Sequence, residues 1–171
     1  MDTKILVTYA TKHGATEEIA NKIGEILRQA GLLTDVYPVK NVKNLAAYNA
    51  VILGSAVYIG SWRKEAVQFL KANQQALAAR AVWLFSSGPT GEGEPIELLK
   101  GWRFPPAQQS LVESIHPRNI AVFHGNLDEK KLNAFEKWLT KNVKAQTGDF
   151  RDWNAVTAWA ISIADALQKS M

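Results

Sequence analysis

The chain has 171 residues, 47% of them apolar and 21% charged, with 20 Lys+Arg against 16 Asp+Glu and a sequence pI near 9.3. That length and balance suit one globular domain, residues 1–171, with a sizeable core. The absence of cysteine excludes disulfides, thiolate catalysis, iron–sulfur ligation and c-type haem attachment.

The chain opens with Lys4–Ala10, a short β-rich apolar run that reads as a buried strand. Thr11-Lys12-His13-Gly14-Ala15-Thr16 follows as a loop. A helix then carries Ile19, Ala20, Ile23, Ile26 and Leu27 on one face and stops at Gly31. Thr16 is the expected N-cap, with Glu17 and Glu18 in the first turn. Leu32–Val39 reads as an edge strand, with Pro38 near its end. Val42 and Leu45 suggest a short helical turn. Ala50–Ser55 is a near-continuous apolar run, hence a central strand buried on both faces. Ala56–Trp62 is expected to be a loop. The helix after it, about Arg63–Ala79, turns Ala66, Val67, Leu70 and Leu77 inward. Ala81–Phe85 is a second central strand, and Ser86–Gly93 is too rich in glycine to be anything but a loop. Between Glu94 and Arg118 the pattern is least regular, with Pro95 and Pro106 each opening a short helix. Asn119–Phe123 is the last strand. Asp128 is expected to cap a helix bearing Leu132, Phe135, Leu139 and Val143; Gly148 ends it, and Asp152 caps the final helix.

Strands alternating with helices imply a parallel sheet with helices on both faces and right-handed crossovers. Five strands suit the order 2-1-3-4-5. A ligand is then expected at the carboxyl ends of strands 1, 3 and 4, where the strand order reverses. Three loops meet there.

The first, Thr11–Thr16, combines hydroxyl donors, a glycine able to adopt positive φ and a helix N-terminus. That combination suits a phosphate, and equally describes an ordinary capped turn. It is neither a Walker A loop nor the three-glycine dinucleotide fingerprint. The second loop, Ala56-Val57-Tyr58-Ile59-Gly60, and the third, Ser86-Ser87-Gly88-Pro89-Thr90-Gly91, are expected to flank a flat ring. Tyr58 or Trp62 would cover its face, and Gly60 and Gly88 would let backbone amides move at its polar edge.

Thr11–Thr16 resembles the flavodoxin phosphate loop, Thr/Ser-x-Thr/Ser-Gly-x-Thr, with His13 where a small hydroxyl is usual and Lys12 beside it. Gly54–Gly60 and Gly148–Trp153 are similar to segments of the flavodoxin-domain family that includes menaquinone-dependent protoporphyrinogen oxidases. The resemblance implies a flavodoxin-like α/β fold, noncovalent FMN and redox chemistry. It also implies phosphate contacts from Thr11–Thr16 and ring contacts from Ala56–Gly60 and Ser86–Gly91.

Two functional classes follow. In an oxidoreductase of that family, the basic charge and the Lys100-Trp102-Arg103-Phe104 segment would meet an anionic porphyrinogen or a membrane edge, and a quinone would accept the electrons. The alternative is a small electron-transfer protein serving redox protein partners, although well-known carriers of this fold are acidic. A phosphoacceptor receiver domain is rejected because strands 1 and 3 end without carboxylates, at Ala10-Thr11 and Ser55-Ala56. His13, His116 and His124 lack metal-ligand spacing, so no metal is expected; His124 is a candidate rim residue. Flavin redox chemistry requires no protein nucleophile, so no catalytic residue is assigned. No nucleic-acid motif is present. With no apolar run of membrane-spanning length and no signal-peptide pattern, a cytoplasmic location is expected, with peripheral membrane contact open.

Overall fold

The computed structural model describes residues 3–171. Five strands form a parallel sheet: β1 (Lys4–Ala10), β2 (Leu33–Pro38), β3 (Ala50–Tyr58), β5 (Ala81–Ser87) and β6 (Asn119–Phe123). Their spatial order is β2-β1-β3-β5-β6, which is the expected 2-1-3-4-5 once the parallel strands are counted alone. A two-residue strand, β4 (Ser61–Trp62), pairs antiparallel with the end of β3.

The pleat sorts the central strands onto two cores. Ile5, Val7, Ile52, Trp83 and Phe85 face α1 (Ala15–Gln29) and α7 (Trp153–Lys169). Leu6, Val51, Leu53, Val82 and Leu84 face α2 (Lys64–Ala72), α3 (Gln74–Ala78) and α5 (Gln109–Ile115). Burial on both faces is why these strands read as unbroken apolar runs. Trp159 packs edge to face on Phe85 and Phe123, which are tilted against each other, with centroids 5.5–5.9 Å apart, and the Trp159 indole donates to Asn119 Oδ1.

Several local expectations need correction. Gly14 is the N-cap of α1, at φ +93°, and Thr16 lies inside the helix. Val39–Asn41, not Val42–Leu45, makes the 3-10 turn after β2. Ala56–Trp62 is not a loop. β3 runs on to Tyr58 and folds back into β4 through Ile59 and Gly60, both at positive φ as a tight hairpin turn demands. The helix over 63–79 breaks at Asn73, whose side chain donates to Phe69 O and competes with the helical ladder. Asp128 caps only a 3-10 turn at Glu129–Lys131. The helix that follows, α6 (Ala134–Asn142), starts at Asn133. There Asn133 Oδ1 accepts from Glu136 N, and Glu136 Oε2 accepts from Asn133 N. Asp152 does cap α7, accepting from Asn154 N and Ala155 N.

Candidate cofactor cleft

The parallel register sets the three loops side by side. Ala10 pairs with Ser55, Ser55 with Ser86, and Ala56 with Ser87. Thr11–Thr16 therefore lies next to the end of β3, which lies next to the end of β5. Of the sequence-predicted residues, Thr11, Lys12, His13, Ala15 and Thr16 line one cleft with Ala56, Val57, Tyr58, Ser87 and Gly88.

The floor of this cleft is mostly backbone. Thr11 Oγ1 accepts the Gly14 N–H at 3.0 Å, which closes the loop. The first helical bond of α1 runs from Glu18 N to Gly14 O, and no side chain caps the helix. The amides of Ala15, Thr16 and Glu17 therefore have no helical acceptor, and they stand at the positive end of the α1 dipole. A Cβ on Gly14 would meet no atom within 4 Å, so the space is open and the positive φ is the reason for glycine. These features fit a phosphate. Thr16 is buried, and its hydroxyl shares a 2.8 Å hydrogen bond with Ser87 Oγ, which ties the first loop to the third.

Seven predicted residues lie elsewhere or act as supports. Gly14 is the cap just described. Ile59 and Gly60 form the hairpin tip, outside the cleft lining. Ser86 is fully buried: its hydroxyl accepts from Trp62 Nε1 at 2.8 Å and donates to Arg103 O at 2.7 Å. Trp62 is thus a core fastener rather than a ring cover. Pro89, Thr90 and Gly91 are also outside the lining. Their loop is held by Gly125 N donating to Pro89 O and by His124, whose Nδ1 and Nε2 face Pro89 O and Gly93 O at 3.1 and 2.9 Å. His124 therefore fastens the loop rather than lining the cleft. A Cβ on Gly125 would sit 2.6 Å from Gly88 Cα, so two backbones touch where the third loop crosses the end of β6.

The Lys100–Phe104 segment lies outside the cleft lining, with Lys100 and Arg103 exposed and Trp102 and Phe104 half-buried. Arg103 donates to Ile120 O, and Phe104 packs on the core beside α5.

The roof was not foreseen. Leu132, Glu136, Leu139 and Thr140, from α6 and the turn before it, close the cleft from above. Glu136 is only 3% exposed. It pairs with Lys12 Nζ, and its Oε2 lies 3.1 Å from His13 Nε2 without a well-aligned hydrogen bond. The hydrogen bond from Lys12 holds the Glu136 carboxyl below its ordinary range, aided by Asn133 and His13 and opposed by burial. Burial works against the Lys12 ammonium, but its bonds to Glu136 and Tyr58 outweigh that and raise it. Lys12 Nζ also sits 3.7 Å from the Tyr58 ring centre. Lys131 Nζ donates to His13 O at 3.2 Å. The chain beyond the roof is anchored by a two-stranded ribbon, β7 (Asn126–Leu127) with β8 (Gly148–Asp149), and by Arg151, which bonds Asp149 and Glu18. The Asn133-x-x-Glu136 spacing is a capping-box signal legible in the sequence; its second role, reaching the phosphate loop, has no local signature.

With Lys12 on Tyr58 and Glu136 above it, the cleft keeps about 100 Å³. Small-molecule sites run from about 300 Å³ upward, so the enclosed part of the cleft is smaller than a typical ligand site and the rest of it opens to solvent.

A three-layer α/β sandwich with a phosphate cradle at its strand-order switch point defines a flavodoxin-type flavoprotein. The Flavodoxin domain family model matches residues 6–154, and the chain belongs to that family. FMN is accordingly its cofactor: the amides of residues 15–17 would hold the phosphate, and Tyr58 and Gly88 would border the ring. Protoporphyrinogen IX dehydrogenase [quinone] of Escherichia coli K12 is 21% identical, with 97% of each chain covered. A flavodoxin from the domain Archaea superposes with a TM-score of 0.63 at 15% identity, covering 97% of this chain and 99% of its own. Two-electron-reduced Megasphaera elsdenii flavodoxin gives 0.54 at 20% identity, covering 70% and 84%. At these identities the superpositions speak for the fold alone. No described helix is long and apolar enough to cross a membrane.

Proposed function

We propose that this chain is an FMN-dependent oxidoreductase that oxidises a protoporphyrinogen-type substrate and passes the electrons to a quinone. The observation that carries the reading is the end-to-end similarity to the E. coli dehydrogenase, together with a cleft that α6 partly covers. A carrier that meets protein partners needs its ring edge open, whereas residues of α6 and the turn before it line one side of this cleft.

When bound, FMN supplies the hydride and electron chemistry. The chain's own groups do the rest. The helix α1 amides fix the phosphate end. The Gly88–Gly125 contact holds the third loop rigidly against the β6 end. Leu132 and Leu139 exclude water from above. Lys131, exposed beside His13, offers positive charge to the carboxylates of a porphyrinogen, while the Lys12 charge is met by Glu136. A second reading, electron transfer between proteins, is equally compatible with membership of the flavodoxin domain family.

One experiment separates the two. Protein loaded with FMN is mixed anaerobically with protoporphyrinogen, and then a menaquinone analogue is added. The proposal expects the flavin absorbance to bleach with substrate and return with quinone, over many turnovers. A flavin that stays oxidised in protoporphyrinogen but exchanges electrons with a flavodoxin reductase makes the protein a carrier.

A further inference from the structure

The roof helix has an outer face that the cleft does not use. Phe135 and Trp138 are 63% and 60% exposed and stack with ring centres 6.1 Å apart; Val143, just past the helix end, is 63% exposed. Three of the nine large apolar side chains exposed among the described residues thus fall within nine consecutive positions.

Helical spacing puts Ala134, Phe135, Lys137, Trp138, Lys141 and Asn142 on the outward arc. That arc carries no carboxylate, because Glu136, the only acid of α6, points into the cleft. Lys130 and Lys144 flank it, with Asp128 and Glu129 at its N-terminal margin. Among the described residues, Lys130, Lys137, Lys141 and Lys144 form no ion pair. Two aromatics with unpaired lysines along one side of them match an interfacial helix, whose rings enter the headgroup layer while the lysine stems lie along it.

We propose that this face of α6 docks on an anionic membrane surface. Charge complementarity selects the occupant: the arc's two free ammonium groups, Lys137 and Lys141, with no acid among them and with Lys130 and Lys144 against Asp128 and Glu129 at its margins, suit anionic headgroups, and the stacked rings suit the acyl boundary. Docking would set the roof of the FMN cleft against the bilayer. There a lipid-soluble quinone arrives without crossing water. The surface rests on the proposed function only for that quinone.

The test is co-sedimentation of FMN-loaded protein with phosphatidylglycerol–phosphatidylcholine vesicles and with pure phosphatidylcholine vesicles. Binding is expected to the anionic vesicles and to weaken with salt. K137A/K141A should lower the partition coefficient about fivefold per lysine, and F135S/W138S by about tenfold or more. Brominated lipid should quench tryptophan emission, and the W138F variant should lose most of that quenching. The lysine variant keeps the test sound should the aromatic variant fold poorly. FMN affinity, which uses the opposite face of the helix, checks both variants.

Absence of binding to anionic vesicles overturns the proposal, as does binding unchanged in both double variants. A concentration-dependent dimer abolished by F135S/W138S overturns it in favour of a second copy. Salt-sensitive capture of an acidic redox protein through this face, without vesicle binding, overturns it in favour of a protein partner. Protoporphyrinogen oxidation with a water-soluble quinone is measured separately. Vesicle binding without that activity leaves the docking surface standing and removes the reaction; activity without vesicle binding does the reverse.

Discussion

The floor and the roof of the cleft are built from different materials. The floor uses backbone amides, glycine contacts and two buried hydroxyls, and its geometry depends on the main chain of α1, β3 and β5. The roof uses side chains: Glu136 on Lys12 and His13, and Leu132 and Leu139 above them. A backbone-built site tolerates unusual side chains so long as its φ angles survive, which is why His13 can stand where a hydroxyl is usual. A side-chain-built roof can be retuned by one substitution without disturbing the sheet.

The floor should break hardest where two backbones touch. Gly125→Ala places a methyl 2.6 Å from Gly88 Cα and close to its carbonyl, so the main chain itself must move. A loss of about 2–3 kcal/mol is expected in denaturant unfolding, together with much weaker FMN binding. A stability unchanged within about 0.5 kcal/mol would mean that the third loop is not fixed by this contact.

A subtler floor change is Thr16→Val, which keeps the shape of the side chain and removes its hydroxyl. Ser87 Oγ then loses its 2.8 Å partner in a buried place. The expected loss is about 1–2 kcal/mol, read by thermal or chemical denaturation, with FMN affinity falling more than riboflavin affinity if the phosphate loop loosens.

The roof should respond to charge. Glu136 is held below its ordinary pKa by the Lys12 hydrogen bond, so its stabilising effect is present above the usual carboxylate range and fades as pH falls through its depressed pKa. Unfolding free energy of the wild type should therefore drop with acidification below about pH 4.5, and Glu136→Gln should flatten that part of the curve. At neutral pH the same variant loses about 1 kcal/mol, because Lys12 is left without its carboxylate yet keeps partial access to water. It should also bind FMN roughly threefold to tenfold more tightly while leaving riboflavin unchanged, since a carboxylate beside the cradle repels a phosphate. Equal effects on both flavins would show that Glu136 does not sense the phosphate.

Much of this contrast was legible in advance only on the floor side. Strand runs such as Ala50–Leu53 and the glycine of Thr11–Thr16 are local signals, and they placed five parallel strands and the cradle at one sheet edge. What escaped was non-local. Thr16 looks like a cap in sequence, yet Gly14 takes that place at positive φ and frees the Thr16 hydroxyl for a residue 71 positions away. Ser86 reads as a ring contact, but Trp62 and Arg103 claim its hydroxyl. The roof escaped because Asp128 and Asn133 are both good caps, and only the reciprocal bond with Glu136 decides between them. That Glu136 then reaches Lys12 depends on the whole chain returning to α1, which no window of sequence displays.

The smallest expected effect lies at the edge of the floor, in the hairpin tip. Ile59 is β-branched, 62% exposed and held at φ +51°, next to Gly60 at φ +68°. Such a residue is strained in the left-handed region, and a two-residue turn with both φ values positive prefers Asn-Gly. Ile59→Asn gives up little burial and should raise stability by about 1 kcal/mol. Ile59 and Gly60 are outside the cleft lining, so flavin affinity should stay within about twofold of the wild type. If the variant is more stable yet binds FMN several times more weakly, the strain at Ile59 serves the ring site, and the tip belongs with the floor after all.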